Sequence, residues 1–260
     1  MLKCKREGFS MRLYFEILLA MSIQVLRSCM TSLLLLGVWA PPVLGQGKPN
    51  FPSDLIPPTI RPRIQLIVDQ SDFQFQTSTL PKKVKLATME KLFDHPRLSA
   101  SLWRQCQFVP AFFAFEETRD TFVINDTQGL TGRLTLIYSV PGHRIYWVEG
   151  HADTGRLKPF APSVSAQMIT SYRYWETEKG FETRLETWTK LDNSLLGLLA
   201  QPFKKYVKNR QDEFINYINN NIALFGESTE LNFTEFRDSI FISTDPRLLN
   251  EFNKLYKKTP

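Results

Sequence analysis

The chain has 260 residues, with 32 Lys and Arg against 26 Asp and Glu, a net charge of +6, and three cysteines. Half of that charge lies in the first 45 residues, where Lys3, Lys5, Arg6, Arg12 and Arg27 face only Glu7 and Glu16, so the concentrated basic face that nucleic-acid binding needs is missing. Cys4 and Cys29 lie in the same stretch, and Cys106 alone cannot form an internal disulfide, so the remaining part, about 200 residues and enough for one domain, must stand on its hydrophobic core.

Residues 1–45 read as a leader. Met30 to Gly45 is an apolar run followed by a cleavage site, with Val43 and Gly45 as the small residues and Gln46 as the new N-terminus. The run is shorter than the roughly 20 residues that span a bilayer. The expected destination is therefore secreted or periplasmic, the alternative being an uncleaved N-terminal membrane anchor. Met11, Met21 and Met30 are all possible starts. Arg27 just before Cys29 argues against a lipid anchor.

Residues 46–63 hold Pro49, Pro52, Pro57, Pro58 and Pro62, a density that suggests a semi-rigid linker. Ile64 to Val68 could open a sheet, and Asp72 to Thr77, with Phe73 and Phe75 alternating, is a second candidate for that edge. Lys83 to Phe93 and Arg97 to Gln105 carry apolar residues at helical spacing. They are separated by Asp94-His95-Pro96, where the residue before proline resists the α region.

From Gln107 to Leu191 the pattern is mostly strand. Leu134, Leu136, Tyr138 and Val140 are set among polar neighbours, and Pro141-Gly142 turns the chain into a second strand at 143–150. In Ser163 to Tyr174, Val164, Ala166, Met168, Tyr172 and Tyr174 share one parity, the period of a sheet with one buried face. Glu178-Lys179-Gly180 turns into Phe181 to Leu191. Asp192-Asn193-Ser194 then starts a long amphipathic helix, Leu195 to Ile222, which Pro202 should kink. After Phe225 two short helices are expected, the second near Thr244-Asp245-Pro246.

The stretch Thr183 to Val207 runs from a strand of alternating charges into a leucine-rich, proline-containing helix that turns basic. It resembles the last strand and final helix of polyketide-cyclase-like members of the START/Bet v (SRPBCC) helix-grip superfamily, and the likeness in element order covers residues 64–222. The resemblance implies an α+β fold, a curved antiparallel sheet gripping a long C-terminal helix around an apolar cavity. It also implies ligands such as lipids, quinones or polyketides. Residues 223–260 would be a helical extension. On the inward parity and the helix face, the candidate lining residues are Phe112, Leu134, Tyr138, Met168, Tyr172, Tyr174, Leu199, Phe203 and Val207.

Catalytic signals are sparse. Glu149, His151 and Asp153 fall at alternate positions of one strand, so His151 could act as a general base with a carboxylate beside it; a solvated strand edge would look the same. Asp153-Thr154-Gly155 is a chance match to a protease tripeptide, and Cys106 sits in apolar surroundings that favour an inert thiol. Lys204, Lys205, Lys208 and Arg210 could meet anionic lipid headgroups, or simply solvate a helix. The expectation is a monomeric, exported protein that binds a hydrophobic small molecule or lipid without turnover, with no metal, no cofactor and no nucleic acid. The alternatives are an enzyme of the same fold using His151, or an envelope protein that binds a partner through its Pro-rich segment and tail.

Overall fold

The computed structural model describes residues 51–78, 81–108, 111–126, 130–152, 164–192, 233–239 and 244–256, together with 217, 220, 221, 224 and 226–228. Seven strands form one antiparallel sheet: β1 (Phe73–Ser78), β2 (Phe113–Thr118), β3 (Thr121–Asn125), β4 (Leu130–Val140), β5 (His143–Ala152), β6 (Val164–Thr177) and β7 (Gly180–Leu191). Their spatial order is β1-β7-β6-β5-β4-β3-β2, a meander whose far edge is completed by β1. Register shifts at Glu116/Thr118 and Leu136/Tyr138 mark bulges, which bend a sheet and increase its twist. Gly142 makes the β4–β5 turn at φ 81°, a region costly for residues with a Cβ. The fold is α+β with a curved antiparallel sheet, as the sequence pattern leads one to expect.

Five α-helices have both ends among the described residues: α1 (Arg61–Asp69), α2 (Leu86–Asp94), α3 (Pro96–Gln105), α4 (Phe233–Arg237) and α5 (Pro246–Tyr256). The break between α2 and α3 falls where it was predicted. His95 sits at φ −128°, ψ 66°, outside the helical region, because Pro96 follows it. Proline then opens α3, where its missing N–H costs nothing. The long helix expected over 195–222 lies mostly outside the described residues; Tyr217, Asn220 and Asn221 within it are helical.

The predicted start of the sheet at Ile64–Val68 is instead helical. Ile64, Ile67 and Val68 are the buried face of α1, at the i, i+3, i+4 spacing of a helix. The preceding Pro-rich segment is packed where it is described. Ile56 is buried, and Phe51 meets Trp188 edge-on at 5.2 Å. Arg61 holds this turn by donating from Nε and Nη2 to the Ile56 carbonyl at 3.1 and 2.8 Å.

The sheet is covered on both faces. On one, Tyr172, Tyr174 and Phe181 pack with Met89, Leu92, Leu98, Leu102 and Trp103 of α2 and α3, and with Phe236, Leu248 and Phe252 of α4 and α5. On the other, Ile145, Ile169 and Trp188 pack with Phe51, Ile56 and α1. The expectation of a single buried face therefore fails at β5–β6–β7. Trp188 is fully buried, and burial of a large apolar side chain contributes about 1.5–3 kcal/mol.

Candidate functional site

Cross-strand pairing fixes what the α2/α3 face of the sheet presents. One row of directly opposed residues is Phe122–Leu134–Val148–Met168–Thr189–Phe73, from β3 to β1. The next row toward the β4–β5 turn is Leu136–Tyr146–Thr170–Thr187–Phe75. Beyond it Arg144 opposes Tyr172, which opposes Leu185. In the other direction the row is Ile124–Gly132–Gly150–Ala166, almost without side chains in the central strands. Along the strands the face therefore grades from small, to aliphatic, to Tyr/Thr, to a buried cation.

Packing among the described residues does not explain the small row. Among the described residues, a Cβ added at Gly132 would meet nothing nearer than the Glu149 carbonyl at 3.8 Å. At Gly150 the nearest such atom is the Ala166 carbonyl at 3.9 Å. Those are ordinary contacts, so no close neighbour among the described residues demands either glycine. Interior strand glycines weaken a sheet and often mark the close approach of a ligand or another backbone.

At the opposite end Arg144 is 2% exposed. Its Nη2 donates to Glu90 Oε2 and Asp94 Oδ1, both at 2.7 Å, and its Nε to the Tyr174 hydroxyl at 2.9 Å. Burial alone would lower the guanidinium pKa; nearby Tyr146 and the hydrogen bonds to Tyr174, Glu90 and Asp94 outweigh it, and the net shift is upward. Burial also pushes up the phenols of Tyr146, Tyr172 and Tyr174, against the opposing contacts with Arg144 or Thr183. None of the three phenols titrates near neutrality. Thr170 Oγ1, in the row beside Tyr146, is buried and has no hydrogen-bond partner among the described residues.

The structure brings only some of the predicted lining residues together. Leu134 and Met168 share one row, both half-buried. Tyr172 and Tyr174 lie on the same face but within the closed core. Phe112 packs on that core beside Trp103, ring centroids 5.5 Å apart. Tyr138 is on the opposite face: the bulge after Leu136 reverses the parity, and its ring meets His143 at 5.3 Å. Leu199, Phe203 and Val207 lie outside the described residues, as do Lys204, Lys205, Lys208 and Arg210.

Glu149 and His151 share a face, as their spacing predicts, but it is the α1 face. His151 is exposed and bonds Ser165 Oγ through Nδ1 at 2.9 Å. Glu149 is engaged by Arg63 at 3.3 Å and Arg133 at 4.0 Å. Asp153 lies outside the described residues, among which no cluster suited to a metal occurs.

Sequence reasoning missed Arg144, Glu90, Asp94, Thr170 and the two glycines. For the charged cluster the signals were present. Arg144 stands on the apolar parity of β5 with Tyr146 and Val148, and Glu90 and Asp94 are four apart on one side of α2.

No protein-family model and no curated protein matches this sequence. Among solved structures, a conserved protein from Geobacillus kaustophilus is 9% identical with a TM-score of 0.43, over 60% of this chain and 95% of that one. An uncharacterized protein from Rhizobium leguminosarum is 15% identical with a TM-score of 0.41, over 60% and 94%. The di-domain ARO/CYC StfQ from the steffimycin biosynthetic pathway is 12% identical with a TM-score of 0.35, over 66% and 56%. At such values the fold rests on the strand order and pairing described above.

Proposed function

We propose that this chain is an exported binding protein for a hydrophobic small molecule or lipid that carries one polar end. The observation that carries the reading is the Gly132–Gly150–Ala166 row beside Leu134, Val148 and Met168. Among the described residues it leaves backbone-level room next to aliphatic surface, where a ligand gains about 25 cal/mol per Å² of apolar area buried. The Thr170 hydroxyl, unpartnered among the described residues, is a polar group that could orient such a ligand. Turnover has no support from His151, which is exposed on the other face, and the phenols on this face are held protonated. Export rests on the leader at residues 1–45.

Native mass spectrometry of the purified protein, followed by extraction and lipid analysis, tests the reading. A stoichiometric apolar adduct is expected. Gly150→Val should abolish the adduct while keeping or raising thermal stability, because a β-branched residue suits an extended strand with space above it. Thr170→Val should retain apolar binding and lose preference for a polar head. A clean apo mass, with no shift in Tm across a lipid and quinone panel, would sink the proposal.

A further inference from the structure

We propose that the polar end of the ligand on the glycine-lined sheet face is an uncharged hydrogen-bond acceptor, a ketone or ester carbonyl, met by Tyr146 and Thr170. The inference rests on the ligand-binding reading above and adds the chemistry of the head. Tyr146 and Thr170 are directly opposed across β5 and β6, and Arg144 precedes Tyr146 by two positions on the same face of β5. The Tyr146–Thr170 pair borders the Val148–Met168 pair, so a chain lying along the aliphatic surface ends against the two hydroxyl-bearing residues.

This end of the face offers donors. Thr170 Oγ1 and Arg144 Nη1 are both buried with no hydrogen-bond partner among the described residues. Tyr146 lies against the Arg144 guanidinium. A guanidinium has N–H donors and no acceptor, so it can only donate to the phenol oxygen and leaves the phenol proton for something else. Among the described residues nothing accepts that proton. Burial raises the Tyr146 pKa, so the proton stays on. Tyr174 differs: its hydroxyl accepts from Arg144 Nε at 2.9 Å and lies beside Glu90, so it is used within the core. A buried donor left unmade is costly. One carbonyl oxygen, with two lone pairs and no proton, satisfies two such donors at once.

Charged heads fit less well. Arg144 already pairs through Nη2 with Glu90 and Asp94, each at 2.7 Å. A ligand carboxylate would be a third negative group beside a cation that two carboxylates already offset. An ammonium would stand against the Arg144 cation and would leave the Arg144 Nη1 and Tyr146 donors unmet, because it has no lone pair to offer. A carbonyl meets the donors and adds no charge.

The test is a ¹H–¹⁵N titration of the full chain with 2-octanone, octanoate and octylamine, equal in carbon number, near neutral pH, where the acid is ionised and the amine protonated. The ketone should give saturable shifts in β5 and β6 around Tyr146 and Thr170. Octanoate and octylamine should bind about tenfold more weakly or worse, because each brings like charges together or leaves buried donors unmet. Tyr146→Phe deletes one hydroxyl and should weaken the ketone about fivefold, the worth of one neutral hydrogen bond, while leaving octylamine unchanged. If that variant does not fold, the ranking of the three probes in the unaltered protein decides the matter. Equal affinity for the three, tighter binding of octanoate or octylamine, or unchanged ketone affinity in Tyr146→Phe would overturn the proposal and leave the face standing as an apolar ligand site. No saturable shift in β5 and β6 with any probe would overturn the proposal together with that reading of the face.

Discussion

Two side chains concentrate the electrostatics of the described residues. Arg144 is a buried cation whose partners Glu90 and Asp94 both come from α2, so it fastens that helix to β5. Removing one member of a buried ion pair costs about 3–5 kcal/mol, because the partner is left with an uncompensated charge. Asp94 is more than half exposed and Glu90 about a fifth, so solvent screens the charges left behind and Arg144→Met should destabilise the protein by about 1–3 kcal/mol in urea denaturation; a loss below about 0.5 kcal/mol would show the cluster to be solvated. His143 works in the opposite sense. It faces Tyr138 and Val140 from β4, Ser171 and Arg173 from β6, and the buried Glu186 with Arg184 from β7. Burial first, then Arg173, lower its pKa, and Glu186 only partly restores it. The unfolded chain then binds the proton more readily, so stability is full above the unfolded histidine value and falls as pH drops below about 6.5. Chemical denaturation midpoints from pH 7.5 to 5 should decline in the wild type, and that part of the slope should vanish in His143→Gln. An equal slope in both would remove His143 as its source.

Among the elements, α1 shows how far sequence pattern reaches. Ile64-Gln-Leu-Ile-Val68 is an apolar run too short for periodicity to separate helix from strand. The deciding facts are tertiary: Ile64, Ile67 and Val68 fit against Ile145, Ile169 and Trp188, and Arg61 satisfies the turn carbonyls before the helix. Long strands were legible because their alternation extends over 10 to 14 residues and ends in turn signals. Tyr138 was misassigned because a bulge shifts parity without leaving a mark in the sequence. Of the candidate sheet face, Leu134 and Met168 followed from alternation. The glycine row could not, because it becomes a row only when β4, β5 and β6 are set in register. If α1 is an integral layer, Ile64→Ala should cost about 2–5 kcal/mol, since the cavity forms against a sheet that cannot collapse into it. A change within error by thermal or urea unfolding would show that α1 is not an integral layer.

At the scale of the whole molecule, one sheet carries two cores. Phe252 of α5 is fully buried with α2 and α3 on one face, while Ile64 is fully buried on the other. Further ties hold α5 in place: His95 pairs with Glu251, and Lys91 Nζ donates to the Leu255 carbonyl at 2.6 Å. The described part of the tail is therefore built into the domain. Packed layers lie roughly 10 Å apart, so side chains on opposite faces share no direct contact and communicate only through the strands. Two consequences can be separated by experiment. If the strands couple the faces into one cooperative unit, Ile64→Ala and Phe252→Ala should each lower the midpoint of a single transition seen alike by tryptophan emission and circular dichroism. Their effects should then add within about 0.5 kcal/mol in the double variant, as for independent distant sites. If the α1 face is a separately melting layer, Ile64→Ala should instead produce an early transition in the emission of Trp188, while the dichroism of the helices on the other face holds to the second.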